Sequence, residues 1–391
     1  LLACSLYNEK TDVTVSYRQV LASYRAERSG GNQPISRREG MNLKQSTLAC
    51  VLSLGVALAG WAPGHAAPKM EIQIATGDPG ANYFDNTKKA TLLVFSDYLE
   101  RVSGGELKCK LAVGTLGGEA DVFQQTMMGT NNIAITTEGP PSSVLRDWNV
   151  LNIPYLLENE FVAEHVLDGE FGKELAKELE NKSGVRILAF ASNAGFRHII
   201  NARRPITKME DLKGLKIRTV ESPAQIKFFE LMGATATPVA WGEVYTSIET
   251  GVVDGLNNNA NGIFLGGLER LSKYITRDSH VYAPAIIITN AAWFDSLPAN
   301  YQAWIMESAN VAKWTSRVLV ELAEAAGYEK LSSEFGTQIS YFSNEEKARI
   351  KKEVLPKFRD WLKSNLDDPK WIDKIENAVA QAEQKRTSLN K

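Results

Sequence analysis

The sequence predicts an α/β fold. Three observations predict it. Segments in which apolar and polar residues alternate, as in strands, are separated by segments in which apolar residues recur at helical spacing. A nearly continuous apolar strand occupies residues 280–290, and the chain beyond it is helical. Strands that alternate with helices favour parallel pairing in a sheet covered by helices. A nearly continuous apolar strand is typical of one that is buried on both faces.

The first elements follow one another in this alternating order. Residues 70–76 alternate apolar and polar side chains, as a strand does. Apolar residues then recur at helical spacing from Phe84 to Val102, and the Ser-Gly-Gly at 103–105 ends that helix. The next strand, helix and strand are predicted at 107–113, 120–129 and 131–137.

The second half continues the pattern and ends in helices. Strands are predicted at 185–190, 198–202 and 215–220, followed by a helix at 222–233. Asn257, Asn258, Asn259 and Asn261 disfavour both helix and strand, so a loop is expected there. A long helix is predicted from about Leu297-Pro298, a second from a capping box at 343–346, and a third from about Asp368-Pro369.

Composition and motifs exclude several functions. The 391 residues suffice for two domains, and the net charge of −2 gives no basic excess for a nucleic-acid partner. The sequence lacks the phosphate-loop, nucleophile-elbow and zinc-protease motifs. His165, His198 and His280 lack metal-ligand spacing, and Cys109 has the pattern of a core residue. We therefore predict no cofactor, no metal and no catalytic site.

The segment before residue 67 resembles a secretory signal. Met41 and Lys44 form a positive n-region, residues 47–61 an apolar h-region, and 64–66 a cleavage site. We expect cleavage after Ala66, periplasmic export, and a 1–40 segment outside the fold. The alternative is an uncleaved membrane anchor, for which the apolar run is short.

Two arginines stand in strand-like segments, Arg197 and Arg218. A guanidinium cannot lose its proton, so its burial requires an anionic partner. That partner is either an internal carboxylate or a ligand, and the planar guanidinium matches a ligand carboxylate well. The aromatic face of Trp241 and the asparagines at 257–261 favour the second interpretation, because a ligand pocket combines such groups.

Several segments together resemble a known family. They are GFRHIINARRPITKMEDLKGLKIRTVESP, GATATPVAWGEVYTSIETGVVDG, GGELKCKLAVGTLGGEADVFQQTMMGTNNIAI, VLNIPYLLENEFVAEHVLDGEFGKEL and HVYAPAIIITNAAWFDSLP. The chain is similar to the solute-binding receptors of tripartite ATP-independent periplasmic (TRAP) transporters, of the C4-dicarboxylate-binding type. The resemblance spans most of residues 70–330.

The resemblance implies a two-lobed periplasmic-binding-protein-like fold with a hinge of crossing strands and long C-terminal helices. Lobe I would comprise residues 67–194 and about 283–322, and lobe II residues 195–282 and about 323–391. It implies the following ligand-binding residues: Arg218 for the carboxylate, Arg197 as second contact, Trp241, Asn258, Glu138, Glu119 and Tyr83. Asn257 and Asn259 replace the family's glutamate and proline, so the contacts to the rest of the ligand differ.

The expected function is a monomeric extracytoplasmic receptor that captures an organic acid and delivers it to a TRAP permease. Which acid is bound stays open among dicarboxylates, sugar acids, aromatic acids and keto acids. Two alternatives remain. One is a ligand-presenting subunit for a sensor kinase, and the other is a secreted enzyme using Glu138 and His198 as acid and base.

Overall fold

A computed structural model describes residues 68–79 and 86–389. The predicted signal peptide at 41–66, the 1–40 segment and Tyr83 lie outside these residues. Within them, no helix is both long and apolar enough to cross a membrane.

The strands form one mixed sheet in the order β2-β1-β3-β8-β4-β7-β5-β6, with β9 paired to β8. β1 pairs in parallel with β2 and β3, and β5 pairs in parallel with β6 and β7. The strands are β1 Met70–Thr76, β2 Leu107–Val113, β3 Ile133–Thr137, β4 Val185–Asn201, β5 Lys216–Thr219, β6 Thr235–Pro238, β7 Gly255–Asn258, β8 Tyr274–Asn290 and β9 Gln338–Ser340.

Helices cover the sheet, and most of them follow strands as the alternation predicts. The helices are α1 Thr87–Val102, α2 Glu119–Met127, α3 Glu160–Asp168, α4 Glu170–Ser183, α5 Pro223–Leu231, α6 Val244–Glu249, α7 Ala260–Leu265, α8 Ala291–Asp295, α9 Ala299–Phe335, α10 Asn344–Glu353, α11 Leu355–Asn365 and α12 Lys370–Leu389. Ser343 caps α10 as predicted, since its side chain accepts a hydrogen bond from the Glu346 N–H, but the Glu346 carboxylate accepts from the Met209 N–H and from Arg349 and does not complete the capping box.

Two long antiparallel strands, β4 and β8, join the halves of the sheet. Each has 17 residues, and β3 pairs with one end of β8 while β7 pairs with one end of β4. The strands predicted separately at 185–190 and 198–202 are therefore parts of one strand, with a register shift between Ser192 and Gly195. These crossing strands are the predicted hinge of the two-lobed fold.

The helix α9 has 37 residues and packs against α1, β4 and α7. At 1.5 Å per residue it is about 55 Å long, so it reaches both halves of the sheet. Buried apolar side chains fix it: Ile305 packs in a cluster with Ile72 and Leu92, and Tyr328 packs in another with Leu256 and Ile263. The two-lobed α/β class is confirmed, and the exact lobe boundaries stay a prediction.

The expected loop at the asparagine run is wrong. Asn257 and Asn258 lie in β7, and Asn259 caps α7 by accepting a hydrogen bond from the Gly262 N–H. Pairing with β4 and β5 supplies the backbone hydrogen bonds of this strand. Tertiary pairing thus overrides the unfavourable intrinsic propensity of asparagine.

The close approach of β7 to β4 requires a glycine at position 255. A methyl group added to Gly255 would overlap the Ile200 carbonyl oxygen. We expect Gly255→Ala to lower the free energy of unfolding by about 1–3 kcal/mol, measured by urea denaturation. Gly139→Ala is the control, because its added methyl group meets only ordinary contacts. Equal stability of the two variants would contradict this account of the strand pair.

Candidate ligand-binding cleft

A cleft of about 700 Å³ opens between the two halves of the sheet. Its walls come from both halves, with Asp78 following β1 and Arg218 in β5. The crossing strand β4 contributes Asn193 and Arg197. A cleft with convergent polar groups and an aromatic side chain is a typical small-molecule site.

Arg218 is the exceptional residue of the cleft. It is 3% exposed, and its Nε donates to the Val239 carbonyl oxygen at 2.9 Å. Among the residues that the structure describes, no carboxylate lies within ion-pair distance of the Arg218 guanidinium. Burial, and then the positive charge of Arg197, lower the pKa of Arg218. A buried cation without a counter-ion is costly, so the rest of its guanidinium is suited to bind an anion.

Arg197 differs, because the protein supplies its counter-ion. Its Nε and Nη2 donate to Oε1 of Glu138 at 3.2 and 2.9 Å. Glu138 is 1% exposed, whereas its neighbours Thr137 and Gly139 line the cleft. The structure therefore pairs two of the predicted ligand-binding residues with each other.

A buried glutamine holds this ion pair. Nε2 of Gln225 donates to Oε1 of Glu138 at 3.3 Å and to Oδ1 of Asn152 at 2.9 Å. Its Oε1 accepts from Nδ2 of Asn257 at 2.9 Å. Gln225 lies in the first turn of α5 on one half of the sheet, and Glu138 and Asn152 belong to segments after β3 on the other half. The network therefore links the two halves beside the cleft.

A second charged group lies on the opposite wall. Nζ of Lys88 contacts Asp78 Oδ2 and Glu119 Oε1, each at 2.6 Å. Oε2 of Glu119 also accepts from the Thr137 N–H at 2.7 Å. Although burial disfavours its charge, the two carboxylates raise the pKa of Lys88 to about 12. Burial raises the pKa of Glu119 to about 7, so it titrates near neutral pH.

Uncharged groups complete the walls. The ring of Trp241 lies 5.5 Å from the Arg218 guanidinium carbon, within cation–π range. Asn258 lines the cleft, and its amide forms no hydrogen bond with the residues the structure describes. Asn261 donates to the Thr87 hydroxyl at 3.4 Å. The Thr87 hydroxyl in turn donates to the Asn193 carbonyl oxygen, so of these groups the Asn258 amide is the one available to a ligand that carries polar groups.

Six of the seven predicted site residues gather at this cleft, and Tyr83 falls outside the described chain. Arg218, Arg197, Trp241, Asn258 and Glu119 line it, and Glu138 lies behind its wall. The sequence analysis missed Lys88, Asp78 and Gln225. Asp78 follows the end of a predicted strand, and that position was a usable signal for a binding residue. Lys88 and Gln225 lie in predicted helices, and the sequence gave no such signal for them.

The other titratable candidates lie away from the cleft. Burial lowers the pKa of His198 to about 3, and its Nδ1 accepts from the Ser279 N–H at 3.0 Å. Burial raises the pKa of Cys109 to about 12, which leaves the thiol protonated and unreactive. Within residues 68–79 and 86–389, no three His, Cys, Asp or Glu side chains converge as a metal site would require.

The stability of the wall depends on Lys88. Lys88→Met would leave Asp78 and Glu119 buried beside each other without a cation. We expect a loss of about 3–5 kcal/mol in the free energy of unfolding at pH 8, measured by denaturant titration.

The matched control is Lys173→Met, whose ion pair with Glu170 is exposed at both ends. That variant should unfold like the wild type. If Lys88→Met is equally harmless, the buried charge group does not hold the wall.

Comparison with known proteins identifies relatives among periplasmic solute-binding proteins. The chain is 34% identical over 227 residues, 58% of this chain and 69% of the relative, to the 2,3-diketo-L-gulonate-binding periplasmic protein YiaO of Escherichia coli. The structure matches the sugar acid binding protein DctPAm of Advenella mimigardefordensis in complex with galactonate (TM-score 0.75, 26% identity, 81% of this chain and 99% of that one).

A second structural relative is a TRAP periplasmic solute binding protein of Polaromonas sp. JS666 bound to D-erythronate. It has a TM-score of 0.71 and 27% identity, and the match covers 79% of this chain and 98% of that one. The profile of the family described as bacterial extracellular solute-binding protein, family 7 (DctP), matches residues 83–365. The resemblance noted in the sequence is thereby confirmed, and the chain belongs to this family of solute-binding receptors.

Proposed function

We propose that the protein is a receptor for a hydroxylated monocarboxylic acid, such as an aldonate, which binds in the cleft between the two lobes. The observation that carries this proposal is Arg218, a buried guanidinium without a carboxylate partner among the described residues. The carboxylate of the ligand supplies the missing charge. Because the closed cleft excludes water, this ion pair is stronger than it would be in solution.

The opposite wall favours hydroxyl groups over a second carboxylate. Asp78 and Glu119 flank Lys88, so this group carries two acids and one base. A hydroxyl group can donate to either acid and accept from the lysine. A second ligand carboxylate would be repelled by Asp78 and Glu119. This wall therefore favours a polyhydroxy acid among the acids that the sequence leaves open.

The relatives support the same ligand class. Their ligands, 2,3-diketo-L-gulonate, galactonate and D-erythronate, each join one carboxylate to oxygen-bearing carbons. The cleft volume of about 700 Å³ accommodates ligands of this size.

We place the receptor in the periplasm as the soluble partner of a TRAP permease. Membership of the family supports this role, and a ligand that binds the closed form better shifts the lobes towards closure. The receptor would release its ligand unchanged and function as a monomer. Recovery of unchanged acid after prolonged incubation with the protein would distinguish it from an enzyme.

The anchoring role of Arg218 can be tested by isothermal titration calorimetry. We expect Arg218→Gln to weaken binding of D-galactonate or D-erythronate by about 3–5 kcal/mol, because the ligand carboxylate loses its partner in a desolvated site. Arg101→Gln, at the exposed end of α1, is the control and should bind as the wild type does. Near-native affinity of Arg218→Gln would contradict the assignment.

Binding should also depend on pH through Glu119. Its raised pKa of about 7 means that the side chain is mostly neutral below pH 7 and mostly charged above it. A charged Glu119 repels an anionic ligand, so affinity should fall, by up to about tenfold between pH 6 and pH 8.

The same calorimetry should detect proton uptake on binding at pH 7, from the dependence of the heat on the buffer. Glu119→Gln should remove both the uptake and the pH dependence. An affinity that is constant across this range in the wild type would rule out Glu119 as the linked group.

A further inference from the structure

Charge is balanced among the cleft-region side chains that the structure describes and that are largely shielded from bulk water. Three cations face three anions: Lys88, Arg197 and Arg218 against Asp78, Glu119 and Glu138. Glu221 and Asp121 at the rim are exposed, so water screens them. At pH 8, where Glu119 is mostly charged, these shielded charges sum to zero before a ligand binds, and each ligand carboxylate adds one negative charge.

We propose that Glu138 determines the specificity of the cleft. As the buried counter-ion of Arg197, Glu138 restricts the cleft to ligands with a single carboxylate. Gln225 holds Glu138 in position. This inference rests on the proposed function, because it takes a monocarboxylate bound at Arg218 as given. It assigns Glu138 a role without ligand contact, in place of the contact that the family resemblance implies.

The geometry of the ion pair supports this role. The Nε–H and one Nη2–H of Arg197 point to the same oxygen of Glu138, so those two donors are not available to a ligand. The charge of Arg197 also acts on Arg218, whose pKa it lowers. Without Glu138, two uncompensated cations would therefore influence the same cleft. Two cations would favour a dicarboxylate, since charge complementarity sets specificity.

Glu138 also carries an energetic cost that packing alone does not explain. Its Oε2 is buried and has no hydrogen-bond partner among the residues described. An unsatisfied buried acceptor is destabilising, and such groups often mark functional positions. An apolar side chain of similar size would avoid this cost, but it would leave the charge of Arg197 uncompensated.

Gln225 fixes the orientation of Glu138. Its two N–H groups reach Glu138 and Asn152, while its carbonyl oxygen accepts from Asn257. All the polar atoms of this amide are thus engaged, so it cannot rotate without losing hydrogen bonds. It directs Oε1 of Glu138 towards Arg197, and it therefore acts on the ligand only through that ion pair.

The test compares acids that differ only in their number of carboxylates. D-Erythronate and meso-tartrate form one pair, and D-galactonate and galactarate form the other. Dissociation constants are measured for wild type and Glu138→Gln. The wild type should prefer each monoacid, and Glu138→Gln should shift the ratio of the two constants towards the diacid by about tenfold or more.

Two further variants separate charge from structural damage. Arg197→Gln leaves Glu138 uncompensated, so it should shift the ratio the opposite way and further against diacids. The double variant Arg197→Gln/Glu138→Gln restores the balance and should return the ratio to the wild-type value. These variants test the inference even if Glu138→Gln alone does not fold, which circular dichroism would show.

Gln225→Leu tests the positioning role. It should shift the ratio in the same direction as Glu138→Gln but less, whereas simple loosening of the fold would weaken both acids of a pair equally. Unchanged ratios in all the folded variants would overturn this inference and leave the carboxylate site at Arg218 intact. A wild-type protein that binds none of these monoacids would overturn the proposed function together with the inference.

Discussion

A buried arginine without a counter-ion among the residues that the structure describes is the constraint on which the cleft depends. Arg218 is 3% exposed in β5, and a protein does not gain stability from an uncompensated buried charge. In the proposed function, the ligand carboxylate offsets this cost when it pairs with the Arg218 guanidinium. This explains why a charged residue stands among the apolar positions of a core strand.

The neighbouring charges make the proposed carboxylate site at Arg218 selective. Glu138 compensates Arg197, and Lys88 bridges two carboxylates on the opposite wall. The long strands β4 and β8 bring these groups together from distant parts of the chain, and Gln225 links the two halves beside them. The proposed recognition is thus distributed over both halves of the sheet, as a receptor that closes around its ligand requires.

Much of this arrangement could be predicted from the sequence, because strand alternation, capping signals and motifs are local. Arg218 stood out because a permanent charge interrupts an apolar strand. The pairing of Arg197 with Glu138 could not be predicted, since it depends on how β3 and β4 meet across β8. The asparagine run was misjudged for a related reason: neighbouring strands, not its own propensity, decide its conformation.

The most direct test of the central claim is a crystal structure of the protein with a bound aldonate such as D-galactonate. The account predicts the ligand carboxylate against the Arg218 guanidinium, hydroxyl groups towards Lys88 and its two acids, and Glu138 still paired with Arg197. A carboxylate bound elsewhere in the cleft, with Arg218 paired to a protein side chain, would contradict it.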